Sequence, residues 1–403
     1  MVRAELRYLT VFIAIWVSLL SGCGSGSTAP PQSSPETVGG SSGGGASAPS
    51  GGGGATAAGG AGALAGAANG GSGGSGGGPV GMAGQGPLIC ESELPPVVDT
   101  PAGWAAMPGD GVETTTGGLG GDEVTASSRE ELAAYAASPE PLLIRIEQSL
   151  DVGTLDVVSN KTLLGASANV TLRGGVRIRP LKSDDPPVSN VIVRNLRIDA
   201  ASSSPDDGGD GIHIERAHHV WIDHCEVFDA ADGNTDVTHG SNWVTVSWTR
   251  YHYTGAAPKQ DHRFSNLIGH SENTAETDRG RLKVTYHHVF WGEGVEQRMP
   301  RVRFGQVHVY NNYINAPGAI AAVAAGTEAQ LLVENNHFES VNDAHFFHEG
   351  STSAQIAASG NVYVNTTGKR DVGQGSSFQA PYDYVLDDVT RVPCDVSRGA
   401  GPR

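Results

Sequence analysis

The sequence predicts an all-β chain folded as a right-handed, single-stranded parallel β-helix, and two observations carry that prediction. Short β-branched segments recur, each ending in a similar polar position: Val191–Asn195, Val220–His224, Val244–Trp248, Val284–His288, Val307–Asn311, Leu331–Asn335 and Ile356–Gly360. Successive starts are 29, 24, 40, 23, 24 and 25 residues apart, and a unit near 24 is too short for a β-α-β crossover of roughly 30 residues. A second set of strands runs out of phase with the first, at Gly211–Ile214, Asp236–His239, Asn266–Gly269, Arg301–Phe304 and Ala319–Val323. Each unit therefore holds at least two strands, and stacking units about 4.8 Å apart buries a continuous apolar interior. A β-sandwich is the alternative, but its hairpin turn signals are sparse.

Each element has its own reason. Arg3 and Arg7 precede an apolar stretch from Leu9 to Leu20, which fits an export signal and is too short to span a bilayer. Leu20-Ser21-Gly22-Cys23 resembles a bacterial lipobox with Cys23 as the acylated residue, so 1–23 is assigned as a lipoprotein-type signal. Of the 57 glycines, 25 lie in the 63 residues from Gly24 to Gly86; residues 24–101 thus read as a flexible Gly/Ala/Ser linker with too little apolar surface to order itself. The chain is then extracytoplasmic, either lipid-anchored at the bacterial outer membrane surface or secreted, and touches a membrane only through its lipid.

Residues 102–403 form the β-helix domain, expected to be monomeric. Glu130–Ala137 should be a short helix, because Ser127 and Ser128 precede it and Glu130 and Glu131 lie in its first turn. The 40-residue step contains a polar stretch, Thr254 to Asp278, that reads as an inserted loop. Asn311-Asn312 and Asn335-Asn336 occupy equivalent corners one coil apart, where side-chain amides can form a ladder. With Cys23 lipidated and Cys225 in a strand, Cys90 and Cys394 remain for a disulfide, which an oxidising compartment permits. A net charge of −17, from 26 basic and 43 acidic residues, argues against nucleic-acid binding.

Four strings in order make the chain similar to a known family. They are Thr114-Thr115-Thr116-Gly117-Gly118-Leu119-Gly120-Gly121, Ser159-Asn160-Lys161-Thr162-Leu163-Leu164-Gly165, Val220-Trp221-Ile222-Asp223-His224-Cys225 and Gln297-Arg298-Met299-Pro300-Arg301-Val302-Arg303-Phe304-Gly305. Together they resemble the pectate lyase superfamily, polysaccharide lyase family 1, over roughly residues 102–365. The resemblance implies a parallel β-helix, a polygalacturonate substrate and a Ca²⁺ cofactor.

The residues themselves point the same way. Asp206, Asp207 and Asp210 lie just before the strand Gly211–Ile214, and Asp232 and Asp236 occupy the same place one coil later. Stacking would gather carboxylates that repel one another unless a cation intervenes. Oxygen ligands on irregular turns favour Ca²⁺ over zinc or copper. Asp210, Asp232 and Asp236 match positions that resemble the family's calcium ligands; a further acidic position falls on Gly208, with Asp207 beside it as the substitute. Retention of these carboxylates favours pectate over the methylated substrate of the related pectin lyases.

A basic stretch holds Arg279, Arg281, Lys283, Arg298, Arg301 and Arg303 against Glu293 and Glu296. Arginine forks suit a uronate carboxylate; for Arg279 and Arg281 the alternative is salt bridging on an outer face. Arg298 and Arg303 match the family's catalytic and substrate-binding arginines, which makes Arg298 the base of a β-elimination and Arg303, with Arg301, a substrate contact. A lysine that many members place near here falls on Phe264, leaving Arg263 or Lys259 to replace it. Asp223 and His224 match a structural pair. His218-His219 and His287-His288 are not expected to chelate, because neighbours in a strand face opposite ways. The rival functions are a β-helical polygalacturonan hydrolase, which needs carboxylates and no calcium, and a non-catalytic surface protein binding acidic glycans.

Overall fold

A computed structural model of the chain describes Cys90 and residues 93–203, 208–373 and 377–403. The export signal, the lipobox Cys23, most of the linker and Asp207 lie outside them. The described chain coils into a parallel β-helix. Ten strands, from Asp122–Ala126 to Gln355–Ser359, make one parallel sheet. The remaining strands form two further parallel runs joined through the long strand Thr171–Ile178: its Thr171–Arg173 end pairs with Arg197–Asp199, and its Val176–Ile178 end pairs with Ile212–Ile214. Leu150–Val157 pairs alongside that strand.

The two strand sets expected from the repeat are two of these runs, except that the expected strand Ala319–Val323 straddles the end of Tyr313–Ala319, in the third run, and the start of Val323–Ala325, in the second. Val191, Val220, Val244, Val284, Val307, Leu331 and Ile356 stand in one register across successive coils, all essentially inaccessible to water. At about 1.5–3 kcal/mol per buried aliphatic side chain, this row is a principal source of cohesion. The sequence pattern missed the third run, for example Glu226–Phe228, Arg250–His252 and Val362–Val364, because these begin just past the corner at which the first-set strands end, at Asp223, Ser247 and Ser359, and show no separate break.

The polar position closing each segment has a backbone cause. Asn195, His224, Trp248, His288, Asn311 and Asn335 all adopt positive φ between 45° and 58°, and Gly360 follows at 64°. Every coil turns through a left-handed residue there, a conformation that asparagine and glycine tolerate best. The asparagine corners do form a ladder: Asn335 Nδ2 donates to Asn311 Oδ1 at 2.8 Å, and Asn312 Nδ2 to Asn336 Oδ1 at 2.9 Å. The stretch Thr254 to Asp278 is interrupted by the strand Leu267–Ile268, so it comprises two loops rather than one.

Left-handed residues also correct the histidine expectation. His219 and His288 have φ of 55° and 54°, which breaks the strand alternation and turns each ring onto its neighbour, with Nδ1 to Nδ1 distances of 2.9 Å in both pairs. Asp223 is held by His224 at 2.7 Å, Ser247 at 2.6 Å and Arg194 at 2.9 Å, a structural knot.

The helix spans Arg129–Ala136; the Ser128 hydroxyl accepts from Glu131 N, and the Glu131 carboxylate accepts from Ser127 N at 2.8 Å. Cys90 and Cys394 are disulfide-bonded with Cα atoms 5.3 Å apart, and Cys225 is a buried free thiol. Residues before 102 join the folded unit: Asp99 pairs with Arg194 at 2.7 Å, and Pro95 O accepts from Arg403.

Candidate active site

The site is assembled on the outer face of the run containing Ile212–Glu215, Thr235–Thr238, Leu267–Ile268 and Arg301–Val302. Parallel pairing places Asp236 opposite His213, and His213 opposite Arg177. Asp236 and His213 therefore project from one face on adjacent coils, while the intervening Val237 and Ile214 face the core.

Asp210 sits at the turn before Ile212–Glu215. Its Oδ1 accepts from Gly233 N at 2.9 Å, and its Oδ2 lies 3.1 Å from His213 Nδ1. Asp236 Oδ1 accepts from Leu267 N at 3.0 Å. Gly233 lies between the two carboxylates: a Cβ there would stand 2.4 Å from Asp236 Oδ1 and 3.2 Å from Asp210 Oδ1. Both acids are buried. Burial, and then the Asp210 charge, pushes the Asp236 carboxyl well above the usual carboxylate range. Burial opposes protonation of His213, but the hydrogen bond and charge of Asp210 outweigh it and raise its pKa.

Asp232 is brought to the rim rather than into this pair. Its side chain is 44% exposed, and its Oδ1 is 2.6 Å from His262 Nε2. Sequence reasoning missed His262. It lies two residues from Phe264, the two rings are 3.9 Å apart, and this period-two spacing inside a polar loop is the only signal that could have marked it.

The base candidate is carried by the next coils. Gly233, Phe264 and Gln297 bridge in parallel across three coils, which sets Phe264 between the acids and the Arg298 turn. The Arg298 guanidinium lies over the Phe264 ring at 4.3 Å, and its backbone is left-handed at φ 63°. Its positive charge acts on Asp236. The Nε atoms of Arg298 and Arg301 are buried without hydrogen-bond partners, donors available to an anionic ligand. Burial, then the charges of Arg303 and Arg298, lowers the Arg301 pKa to about 10. Arg303 is buried and donates to Glu272 Oε1 at 2.6 Å and to Gly269 O at 3.0 Å.

Of the two lysine replacements, Arg263 forks onto Glu296 at 2.6 and 3.2 Å and lines a cavity of about 570 Å³ with Glu293 and Glu296. Its neighbour Phe264 takes the face toward Arg298. Lys259 is exposed in the same loop. Arg279 and Arg281 are salt-bridged to Glu328 and Asp110 on an outer face.

The residues fit a hard cation. Two buried carboxylates converge over a glycine that leaves them room, burial and then the Asp210 charge raise the pKa of Asp236 in a way a cation would relieve, and both acids offer oxygen ligands. Among the described residues no group of three or more His, Cys, Asp or Glu is placed to hold a metal ion, so an ion at the Asp210–Asp236 pair would take most of its coordination from water or from a bound carboxylate.

A family model described as pectate lyase matches residues 102–384. A probable pectate lyase B of Aspergillus flavus is 33% identical over 280 residues, covering 67% of this chain and 80% of the relative. A pectate lyase of Emericella nidulans is 35% identical over 275 residues, covering 66% and 76%. The structure of a pectate lyase from Bacillus sp. N165 in complex with trigalacturonate superposes with a TM-score of 0.59 at 24% identity, covering 75% of this chain and 98% of that one.

Proposed function

The chain belongs to the pectate lyase family and is a polysaccharide lyase, and from that premise we propose that it cleaves polygalacturonate by calcium-dependent β-elimination with Arg298 as base. The observation that carries this reading is the convergence of the Asp210–Asp236 pair and Arg298 on one outer sheet face, within electrostatic reach of one another.

Asp210, Asp236 and, at the rim, Asp232 would hold Ca²⁺, with Asp207 as a further candidate. When bound, the ion supplies positive charge that neutralises the substrate carboxylate and acidifies the adjacent C5 hydrogen. Arg298 takes the C5 proton, for which it must act in its neutral form. The C5–H electrons form the new C4–C5 double bond, and the glycosidic oxygen leaves C4. Phe264 orients the guanidinium plane from below. Arg301 and Arg303 anchor neighbouring uronates, and the Glu272 bond keeps Arg303 in place. Lys259 and Arg263 remain secondary substrate contacts, with Arg263 acting only after release from Glu296.

The setting we propose is extracytoplasmic, with Cys23 lipidated and the Gly-rich segment as tether. Incubation with polygalacturonate, with calcium and with chelator, tests the reaction. Ultraviolet absorbance of the unsaturated product should rise only with calcium; reducing-end release without absorbance would mean hydrolysis.

A further inference from the structure

Along the outer edge of the ten-stranded sheet, successive coils each contribute one half-buried side chain to a single axial row. Lys283 pairs in register with Gln306, Gln306 with Gln330, and Gln330 with Gln355. Val244 faces Val284, so Trp243 shares the preceding rung with Lys283. The next residue on each strand points into the core, which turns this row outward.

The middle of the row, Lys283, Gln306 and Gln330, lines a groove of about 610 Å³ together with Arg279, Arg281 and Glu328. None of Asp210, Asp232, Asp236 and Arg298 lines it. Three cations and one carboxylate line this groove in a chain of net charge −17. Arg279 is neutralised by Glu328, at 2.6 and 2.8 Å, and Arg281 by Asp110. Lys283 has no carboxylate partner among the described residues. Its ammonium donates to Gly280 O at 2.8 Å and stands 4.7 Å from the centre of the Trp243 ring. Burial, and then Arg281, lowers its pKa against a smaller opposing pull from Asp110, which is itself paired with Arg281. Gln306 Nε2 donates to Gln330 Oε1 at 2.9 Å, and Gln355 Oε1 is buried without a partner. The groove thus offers one cation with no carboxylate bonded to it, followed by the Gln306 and Gln330 amides one coil apart.

We propose that this groove is a second binding site for a carboxylated oligosaccharide, in which Lys283 pairs with a uronate carboxylate and the glutamine amides meet sugar hydroxyls. The ligand class rests on the reading above that the chain works on an acidic polysaccharide. The groove lies around a turn from the arginine cluster: Arg303 belongs to that cluster, and the next residue, Phe304, lies under Arg279 in the groove. A polymer strand held here stays near the cleft between cleavage events.

The test is electrophoretic retardation in gels containing polygalacturonate, in chelator, where no turnover occurs. Lys283→Met keeps the apolar stem over Trp243 and removes the charge; it should weaken retention about threefold, the scale of one partly exposed ion pair. Gln330→Glu, which adds a like charge without disturbing the core, should weaken it as well. Both variants should retain, within about twofold, the wild-type kcat/KM on trigalacturonate with calcium. Retention should fall with added salt and be lost on fully methyl-esterified chains. Wild-type retention by both variants, or equal retention on the esterified polymer, overturns the proposal. Because the gel reads binding in chelator, a protein without lyase activity would sink the β-elimination reading and still leave this site to be scored.

Discussion

Asp236→Asn separates the structural from the metal-binding role of the buried acid pair. The isosteric amide keeps an oxygen to accept from Leu267 N at 3.0 Å and removes the like-charge conflict with Asp210. In chelator at neutral pH the variant should therefore melt within about 1 kcal/mol of wild type, or above it. The carboxyl of Asp236 titrates above its unfolded value, so its contribution is complete at low pH and is lost as pH rises through the folded value. Wild-type melting temperature in chelator should then fall as pH rises above the ordinary carboxylate range, and the variant should flatten that slope. With calcium the order reverses. A ligand at a hundredfold above its Kd adds about 2.7 kcal/mol to the native state, or about 5–10 °C at roughly 2–4 °C per kcal/mol. Wild type should show that shift, and Asp236→Asn should lose most of it along with at least about a hundredfold in kcat/KM. Differential scanning calorimetry across pH, with calcium and with EDTA, reads every arm. An undiminished calcium shift in Asp236→Asn, or its collapse in chelator, refutes the reasoning.

Three further outcomes are expected. Arg298→Ala should lower kcat by about 10²–10⁴, and wild-type kcat should climb through the alkaline range while KM worsens as pH passes about 10, where Arg301 loses its charge; an acidic optimum in initial-rate assays would remove Arg298 as base. Asn336→Ala should cost about 2–3 kcal/mol in urea denaturation, since Asn336 is fully buried and leaves Val309 O and two Asn312 donors unpaired. Reduction or Cys90→Ser should lower the melting temperature and leave activity at 25 °C intact; the bridged residues are 304 apart, for which chain entropy allows up to about 5 kcal/mol.

Much of this architecture could be read from the chain because its cause is local and repeated. A strand needs alternation and a turn needs a residue that accepts positive φ, and both recur at one period, so Val191 to Ile356 and the corners from Asn195 to Gly360 announced themselves. The third run did not, since its strands follow directly on the first-set corners, as Glu226 follows Asp223 and His337 follows Glu334, and merge with them in the sequence. The site was only partly visible for a different reason. Asp210 and Asp236 could be nominated by residue type and spacing, and Arg298 by the resemblance to pectate lyases, but Asp232 could not be known to turn toward His262, nor Arg263 toward Glu296, because those choices depend on partners about thirty residues away.

By itself, the order of residues determines the coil, its period, the asparagine corners and the chemical types assembled on one face. Only the tertiary structure decides which of two adjacent side chains, such as Arg263 and Phe264, faces the acids, and which cation, such as Lys283, has no carboxylate bonded to it among the described residues. Coil stacking brings together residues distant in the chain, and the direction in which a loop side chain points is settled by burial and charge across coils rather than by its neighbours in sequence.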